Sequence, residues 1–278
     1  MKNFHHAIKI MSVALILIFG TILTGCGSTN TNEKNVAVCF PNTTPSWQRN
    51  GSALRDQLTA DGFEVDMKIS SSSEEQVQQV AEALKNHPKC VVIGAIDSSA
   101  FVDVLENAKA WNIPIIAFDR IIFNTDAVSY YASYDNDAVG EAQGLYFESA
   151  LNLKNGGGPY NIELFAGAPS DNNAHLFFKN TMQILDPYFK TGQLVCQSKQ
   201  MNFDQCATAD WNSANARTRI KNLLSTYYNT GQALQVVLSP NDDIAGVILE
   251  EMKSRGMQKP LISGLDADPA AITRIKAG

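Results

Sequence analysis

The sequence predicts an α/β protein made of two lobes, each built on a parallel sheet. From residue 35 onward, short apolar runs alternate with helical segments, and this alternation occurs in two successive series. Such an order requires mostly parallel sheets with right-handed crossovers. The chain has 278 residues and is 45% hydrophobic, which is enough to bury two cores. We therefore expect an N-terminal lobe at residues 35–132 and a C-terminal lobe at residues 133–278.

Two lysines and an apolar run open the chain. The run, residues 10–23, is too short for a comfortable membrane span but fits the core of a secretory signal. It ends in Leu-Thr-Gly before Cys26, which resembles the cleavage site of bacterial lipoproteins. We predict a signal peptide at residues 1–25, lipidation of Cys26 and a flexible tether at residues 26–34. The alternative is an uncleaved anchor. The protein is expected to be exported and held at the cell envelope.

The strands are predicted from short runs rich in β-branched residues, and the helices from apolar spacing of three to four residues. Acidic residues in a first turn, such as Glu74 and Glu75, support helix starts. Strands of the first series are predicted at residues 36–40, 63–69, 90–96 and 113–120, with helices through residues 54–61, 74–84 and 98–108. Strands of the second series are predicted at residues 160–165, 194–199, 234–238 and 261–264, with helices at 139–151, 174–185, 214–227 and 244–255.

Polar residues follow the strands at their carboxyl ends, where open α/β sheets bind ligands. The strand predicted at residues 113–120 ends in Asp119 and Arg120, which are expected to form an ion pair. This pair either holds a polar ligand or caps a turn. The strands of the second series deliver further Asp and Asn residues, and two tryptophans accompany them. The candidate ligand-binding residues are Trp47, Asp119, Arg120, Asp171, Asn173, Trp211, Asn241 and Asp266.

These residue types suit a small neutral polyhydroxyl ligand. Asp and Asn supply acceptors, Asn and Arg supply donors, and tryptophan faces stack on the apolar face of a sugar ring. Each polar residue taken alone is also a common turn former or helix cap. The occurrence of the same pattern at several strand ends favours ligand binding.

Other classes of function find little support. A net charge of −6 gives no basic surface for nucleic acid. No nucleophile elbow, phosphate loop or zinc-protease pattern is present, so we expect no catalytic residue, no cofactor and no metal. Asp119, Asp171 and Asp266 leave a glycoside hydrolase open. Of the cysteines beyond the signal, Cys196 and Cys206 would close a short loop if they formed a disulfide. The sequence leaves their redox state open.

Several motifs together resemble one family, the type 1 periplasmic binding proteins, in the branch of xylose-binding and multiple-sugar-binding receptors. The resemblance covers residue 35 to the end. The motifs are AFDR at 117–120, YYASYDN at 130–136, NIELF at 161–165, DNNA at 171–174, LSPND at 238–242 and SGLDAD at 263–268.

The resemblance implies two Rossmann-like lobes that close by a hinge on one monosaccharide, a pentose or a hexose. By this likeness Asp119 and Arg120 bind hydroxyls from the first lobe, and the ring stacks on Trp47 and Trp211. The remaining four candidates bind from the second lobe. The implied role is the substrate-binding lipoprotein of an ABC importer, which presents sugar to a membrane permease. The alternative is a sensory receptor that signals to a membrane kinase or chemoreceptor.

Two departures from the family pattern are notable. Ser46 precedes Trp47 where relatives usually carry arginine, and Arg49 follows it. The chain also ends at Gly278, inside an expected helix, whereas family members continue through a further strand and return to the first lobe. We therefore expect a C-terminally truncated fold with an exposed apolar edge and weak sugar affinity.

Overall fold

The computed structural model describes residues 32–41, 44–229 and 231–277. The predicted signal peptide and Cys26 lie outside these residues. Within them, no helix combines the length and apolar character needed to cross a bilayer. The first strand begins at Asn32 and pairs there with Pro88, so residues 32–34 of the predicted tether are strand.

The first lobe is a five-stranded parallel sheet in the order β2-β1-β3-β4-β5. Its strands are β1 Asn32–Pro41, β2 Glu64–Ser70, β3 Pro88–Ile93, β4 Ile115–Phe118 and β5 Val128–Ala132, and its helices are α1 Pro45–Ala60, α2 Ser73–Lys85 and α3 Val102–Ala110. Apolar clusters cover both faces of this sheet, as expected of parallel strands.

The second lobe is a four-stranded parallel sheet in the order β7-β6-β8-β9. Its strands are β6 Tyr160–Leu164, β7 Leu194–Val195, β8 Val236–Leu238 and β9 Leu261–Ile262. Its helices are α4 Asn136–Ala150, α5 Asn172–Lys190, α6 Phe203–Cys206, α7 Ser213–Tyr227, α8 Asp242–Ser254 and α9 Pro269–Ala277. Helix α4 follows β5 but packs on α5, where Thr181 donates to the Gly140 carbonyl at 2.8 Å. Two clusters again cover the two faces.

Several segments differ from the sequence prediction, among them β5, which was not predicted as a strand. Two of the differences have a clear local reason. Trp47 precedes the helix predicted at residues 54–61 but lies in the first turn of α1, because Pro45 at the start of the helix presets its backbone. The strand expected at residues 194–199 stops at Val195. Ser198 turns away there and hydrogen-bonds the buried Glu163 carboxylate through its hydroxyl (2.6 Å) and its amide (3.2 Å).

A buried amide fixes the strand ends that carry the first half of the site. Gln76 on α2 donates to the carbonyls of Cys39 (3.2 Å) and Gly94 (2.9 Å), at the ends of β1 and β3. Its side-chain oxygen accepts from the amide of Ile96 at 2.8 Å. One side chain therefore hydrogen-bonds three main-chain groups at these strand ends, where the Cys39 carbonyl also accepts from the amide of Gly94.

Candidate functional site

The carboxyl ends of the two sheets face each other across one cleft. The first lobe contributes the first turn of helix α1 and the residues that follow β4. The second lobe contributes the loops after β6, β8 and β9. All eight predicted ligand-binding residues line this cleft: Trp47, Asp119, Arg120, Asp171, Asn173, Trp211, Asn241 and Asp266. The order of strands in two separate sheets thus brings together residues that are up to 219 positions apart in the chain.

Asp119 leaves β4 in a left-handed conformation, with φ of 63°. Its amide donates to the carbonyl of Ala132 at 2.7 Å, and its own carbonyl accepts from the hydroxyl of Ser133 at 2.8 Å. The side-chain amide of Asn173, from the second lobe, donates to the Asp119 carboxylate at 3.1 Å. This bond joins the lobes across the cleft.

The prediction of an ion pair between Asp119 and Arg120 was wrong, because Arg120 forms its salt bridge with Asp171. Arg120 Nε lies 2.8 Å from Asp171 Oδ2, and the two side chains are only 5% and 2% exposed. Another guanidinium nitrogen donates to the carbonyl of Ala95 at 2.9 Å. Asp119 turns away in its left-handed conformation, so the carboxylate that reaches the guanidinium comes from the opposite lobe.

The two tryptophans occupy matching places in the two lobes. Both are buried, and each packs over a glycine that follows a strand. A Cβ atom on Gly94 would lie 2.4 Å from Trp47, and one on Gly167 would lie 2.3 Å from Trp211. Only glycine therefore lets each indole lie this close to the strand end. The indole N–H of Trp211 also donates to Asp171 at 3.0 Å.

Helix capping and a place in the cleft are combined in two residues. Asp171 accepts from the amide of Asn173 at the start of α5, and Asn241 accepts from the amide of Ile244 at the start of α8. The choice between cap and cleft residue that the sequence left open is therefore not exclusive. Asn173 Oδ1 is buried and has no hydrogen-bond partner in the described part of the chain, so one acceptor remains available in the cleft.

The mouth of the cleft is bridged by Arg49, whose role the sequence left open. Arg49 donates to the carbonyl of Asp266 at 2.9 Å and lies 3.5 Å from the carboxylate of Asp268. Ser46, in the place of the usual arginine, donates to the Asp266 carboxylate at 3.5 Å. Asp266 and Ala267 have φ of 89° and 51°, so a left-handed turn presents this carbonyl to the first lobe.

Burial raises the pKa of two carboxyl groups of the cleft, Asp119 and Asp266. Burial raises the pKa of Asp119 to about 6; Arg120 opposes this, while Asp171 and Asp266 add to it. Burial, followed by the charge of Asp242, also raises the pKa of Asp266. The same burial strengthens hydrogen bonds from neutral donors to these carboxyl groups, because the local dielectric is lower than in water.

Several residues of the cleft were missed as individual candidates. Tyr134 lines it, and burial raises the pKa of its hydroxyl, which also hydrogen-bonds Asp119. Its place in a motif just after Ser133 was a usable signal. Leu265 also lines the cleft, and its place in the motif at residues 263–268 was the same kind of signal. Thr44 and Phe177 line the cleft and carried no such signal.

The cleft opens into a wider cavity of about 530 Å³, a size typical of small-molecule sites. The inner part, where the eight residues meet, is narrower, at about 40 Å³. The residues that line both parts are Ser46, Trp47, Asp119, Tyr134, Leu265 and Asp266. Among the described residues, no group of His, Cys, Asp and Glu side chains has an arrangement that would hold a metal ion.

Comparison with known proteins identifies the family. A model described as "Periplasmic binding protein domain" matches residues 36–278. The chain is 36% identical over 276 residues to the multiple sugar-binding periplasmic protein SbpA of Azospirillum brasilense, covering 96% of this chain and 76% of that one. It is 28% identical over 273 residues to the D-xylose-binding periplasmic protein of Escherichia coli K12, covering 97% and 78%.

A solved structure shows the same relationship. The fold matches an ABC transporter solute-binding protein of Clostridium phytofermentans, solved with bound β-D-glucose, with a TM-score of 0.84 and 37% identity. The match covers 88% of this chain and 76% of that protein. The predicted fold class of two α/β lobes is confirmed by this match. Members of this family are sugar-binding receptors and not enzymes, which excludes the glycoside hydrolase. The chain therefore belongs to the periplasmic binding protein family, in its type 1 sugar-receptor branch.

Proposed function

We propose that this protein binds one monosaccharide between its lobes and presents it to the permease of an ABC importer. The observation that carries the proposal is the meeting of eight polar and aromatic side chains from both lobes in one cleft. Direct bonds already cross that cleft, from Asn173 to Asp119 and from Arg120 to Asp171. Further support comes from the relatives, since two are named for multiple sugars and the solved structure contains glucose.

In this proposal the first lobe supplies the acceptor Asp119 and the donor Arg120, and the second lobe supplies the other four polar residues. Trp47 and Trp211 provide apolar surfaces for the faces of the ring. Carboxylates and amides bind hydroxyl groups as acceptors and donors at once, which suits a ligand with no net charge. Lobe closure about a hinge is the ordinary motion of such receptors. No cofactor takes part.

A thermal-shift panel of xylose, arabinose, galactose, glucose and ribose tests the binding step. We expect at least one sugar to raise the melting temperature in a saturable way. Asp119→Ala removes an acceptor from the cleft and should weaken the binding of that sugar by about 2–5 kcal/mol. Asp126→Ala, an exposed substitution in the same lobe, is the matched control and should bind normally. The proposal fails if every sugar leaves the melting temperature unchanged, or if Asp119→Ala binds like the control.

The proposed location is the cell envelope, with Cys26 as the lipid-bearing residue. The periplasmic relatives support export. Metabolic labelling with an alkyne fatty acid should mark the wild-type protein and leave Cys26→Ser unmarked. Equal labelling of both proteins would refute Cys26 as the lipid-bearing residue, and an unlabelled wild type would refute the lipid anchor.

A sensory role is the second candidate, because one relative at 35% identity is named a multiple sugar-binding periplasmic receptor, from Rhizobium radiobacter. The sugar site would be the same in either case. Crosslinking in native membranes with and without sugar distinguishes the two roles. A permease crosslink supports transport, whereas a kinase or chemoreceptor crosslink without a permease supports sensing.

A further inference from the structure

We propose that Cys196 and Cys206 form a disulfide in the exported protein and that this bond anchors the segment carrying Trp211. The oxidising compartment rests on the proposed export. The ability of the two thiols to pair is a property of the fold and can be tested without any sugar. Both cysteines are free in this structure, and both are buried.

The two thiols lie around one main-chain oxygen. Cys206 Sγ is 3.3 Å from the carbonyl oxygen of Gln200, and Cys196 Sγ is 3.8 Å from the same atom. The two sulfur atoms can therefore be no farther apart than these distances combined. The turn that brings them together is the one that ends β7 early, through the bonds of Ser198 to Glu163. In this proposal, rotation of the two side chains within the turn closes the remaining gap to a sulfur–sulfur bond of about 2 Å.

The other two described cysteines provide an internal comparison. Cys39 lies on β1 opposite Ile93, whereas Cys90 lies on β3 opposite Val36. These positions differ by three residues along the strands, so the two side chains lie on opposite faces of the sheet. They belong to different apolar clusters. A bond between them is geometrically excluded, and no other pair in the described residues shares an acceptor as Cys196 and Cys206 do.

The chemistry needs one oxidant, a small-molecule disulfide such as oxidised glutathione. Each thiol loses a proton, a bond forms between the two sulfurs, and the two electrons reduce the incoming disulfide to two thiols. Burial raises the pKa of Cys206 to about 12, so little of it is thiolate at neutral pH. The reaction is therefore slow and proceeds through local opening or during folding, which is typical of a structural and not a catalytic pair.

The bond would fix the start of the segment that leads to the cleft. The carbonyl of Cys206 accepts from the amide of Ala166 at 2.8 Å, and the amide of Thr208 donates to the carbonyl of Gly167 at 3.1 Å. These bonds join the segment to the end of β6. Asp210 and Trp211 then both adopt φ of 55°, a conformation that non-glycine residues rarely hold. A crosslink at Cys206 would reduce the freedom of the unfolded segment and so favour this arrangement.

The test is to equilibrate the full chain in oxidised and in reduced glutathione, alkylate it after denaturation and map the peptides. We expect the oxidised sample to contain a peptide linked through Cys196 and Cys206, with Cys39 and Cys90 alkylated. The melting temperature should rise by roughly 5–10 °C on oxidation. Cys90→Ala should keep this rise, and Cys196→Ala should lose it.

Two results would overturn the proposal. One is alkylation of both Cys196 and Cys206 after oxidation, and the other is linkage of either of them to any other cysteine. The peptide map does not depend on a variant, so it decides the question even if Cys196→Ala fails to fold. Because no sugar is used, failure here leaves the proposed sugar-binding function untouched, and absence of sugar binding would leave this result standing.

Discussion

Replacing Asp171 by asparagine tests the charge pair that crosses the cleft. The substitution keeps the size of the side chain and its ability to cap α5, since asparagine is as good an N-cap as aspartate. It removes the charge that faces Arg120 Nε at 2.8 Å and an acceptor of the Trp211 indole N–H. What remains is a guanidinium that is 5% exposed, without the carboxylate that faces it in this structure.

The magnitude follows from that burial. Removing one partner of a buried ion pair costs about 3–5 kcal/mol, because the other charge remains desolvated. The unpaired indole N–H adds about 1–3 kcal/mol if no other acceptor reaches it. Opening of the lobes can relieve part of this cost by letting water reach Arg120. We therefore expect Asp171→Asn both to lower the free energy of unfolding and to increase the radius of gyration in solution scattering.

A double-mutant cycle with Arg120→Met isolates the pair. Urea unfolding of the wild type, the two single variants and the double variant should give a coupling energy of about 2 kcal/mol or more. The matched control is the pair Lys109 and Asp126, whose atoms are 2.7 Å apart but whose side chains are 52% and 75% exposed. This control should show little or no coupling. Equal coupling in the two cycles would refute the role assigned to the buried pair.

Three further predictions address other features of the cleft. Because the pKa of Asp119 is raised to about 6, the native state holds its proton more tightly than the unfolded chain does, and stability falls as pH rises from about 4 to about 6. Asp119→Asn should remove this fall, so its free energy of unfolding relative to wild type should rise across that window by at most roughly 3 kcal/mol in urea titrations. Parallel pH profiles of the two proteins would contradict the raised pKa of Asp119. Gly167→Ala should displace the Trp211 indole and cost about 1–3 kcal/mol with a change in tryptophan fluorescence. Gly51 lies within α1, and a Cβ added there would have its nearest neighbour at 3.5 Å, so Gly51→Ala should be neutral or stabilising. Similar losses of stability in both variants would argue against the close approach at Gly167. Arg49→Ala should cost less than about 1 kcal/mol of stability, because the side chain is 38% exposed, yet speed sugar dissociation several-fold in stopped-flow measurements; an unchanged dissociation rate would show that the bridge at the mouth does not retain ligand.

The fold and the membership of the cleft could be predicted because both follow from local signals. Runs of β-branched residues mark the strands, and polar residues directly after them must collect at the carboxyl edges of parallel sheets. Asp119, Asp171 and Asn241 were found in this way. The combination of two series of strands then placed these residues on facing edges.

The partners within the cleft could not be predicted, because they depend on how the lobes meet. Arg120 pairs with Asp171, which is 51 positions away in the chain, and not with its neighbour Asp119. A left-handed backbone at an aspartate is not visible in the sequence, although it decides this choice. The same limit applies to Gly94. Only glycine fits at this position, because Trp47 packs over it, and that contact arises only in the folded chain.

The measurement that tests the central claim most directly is a crystal structure of the protein with the monosaccharide that gives the largest thermal shift. The account predicts one sugar ring in the cleft, with hydrogen bonds to Asp119 from the first lobe and to Asp171 or Asn173 from the second, and with a tryptophan against a face of the ring. A sugar bound outside this cleft, or contacts with only one lobe, would contradict it.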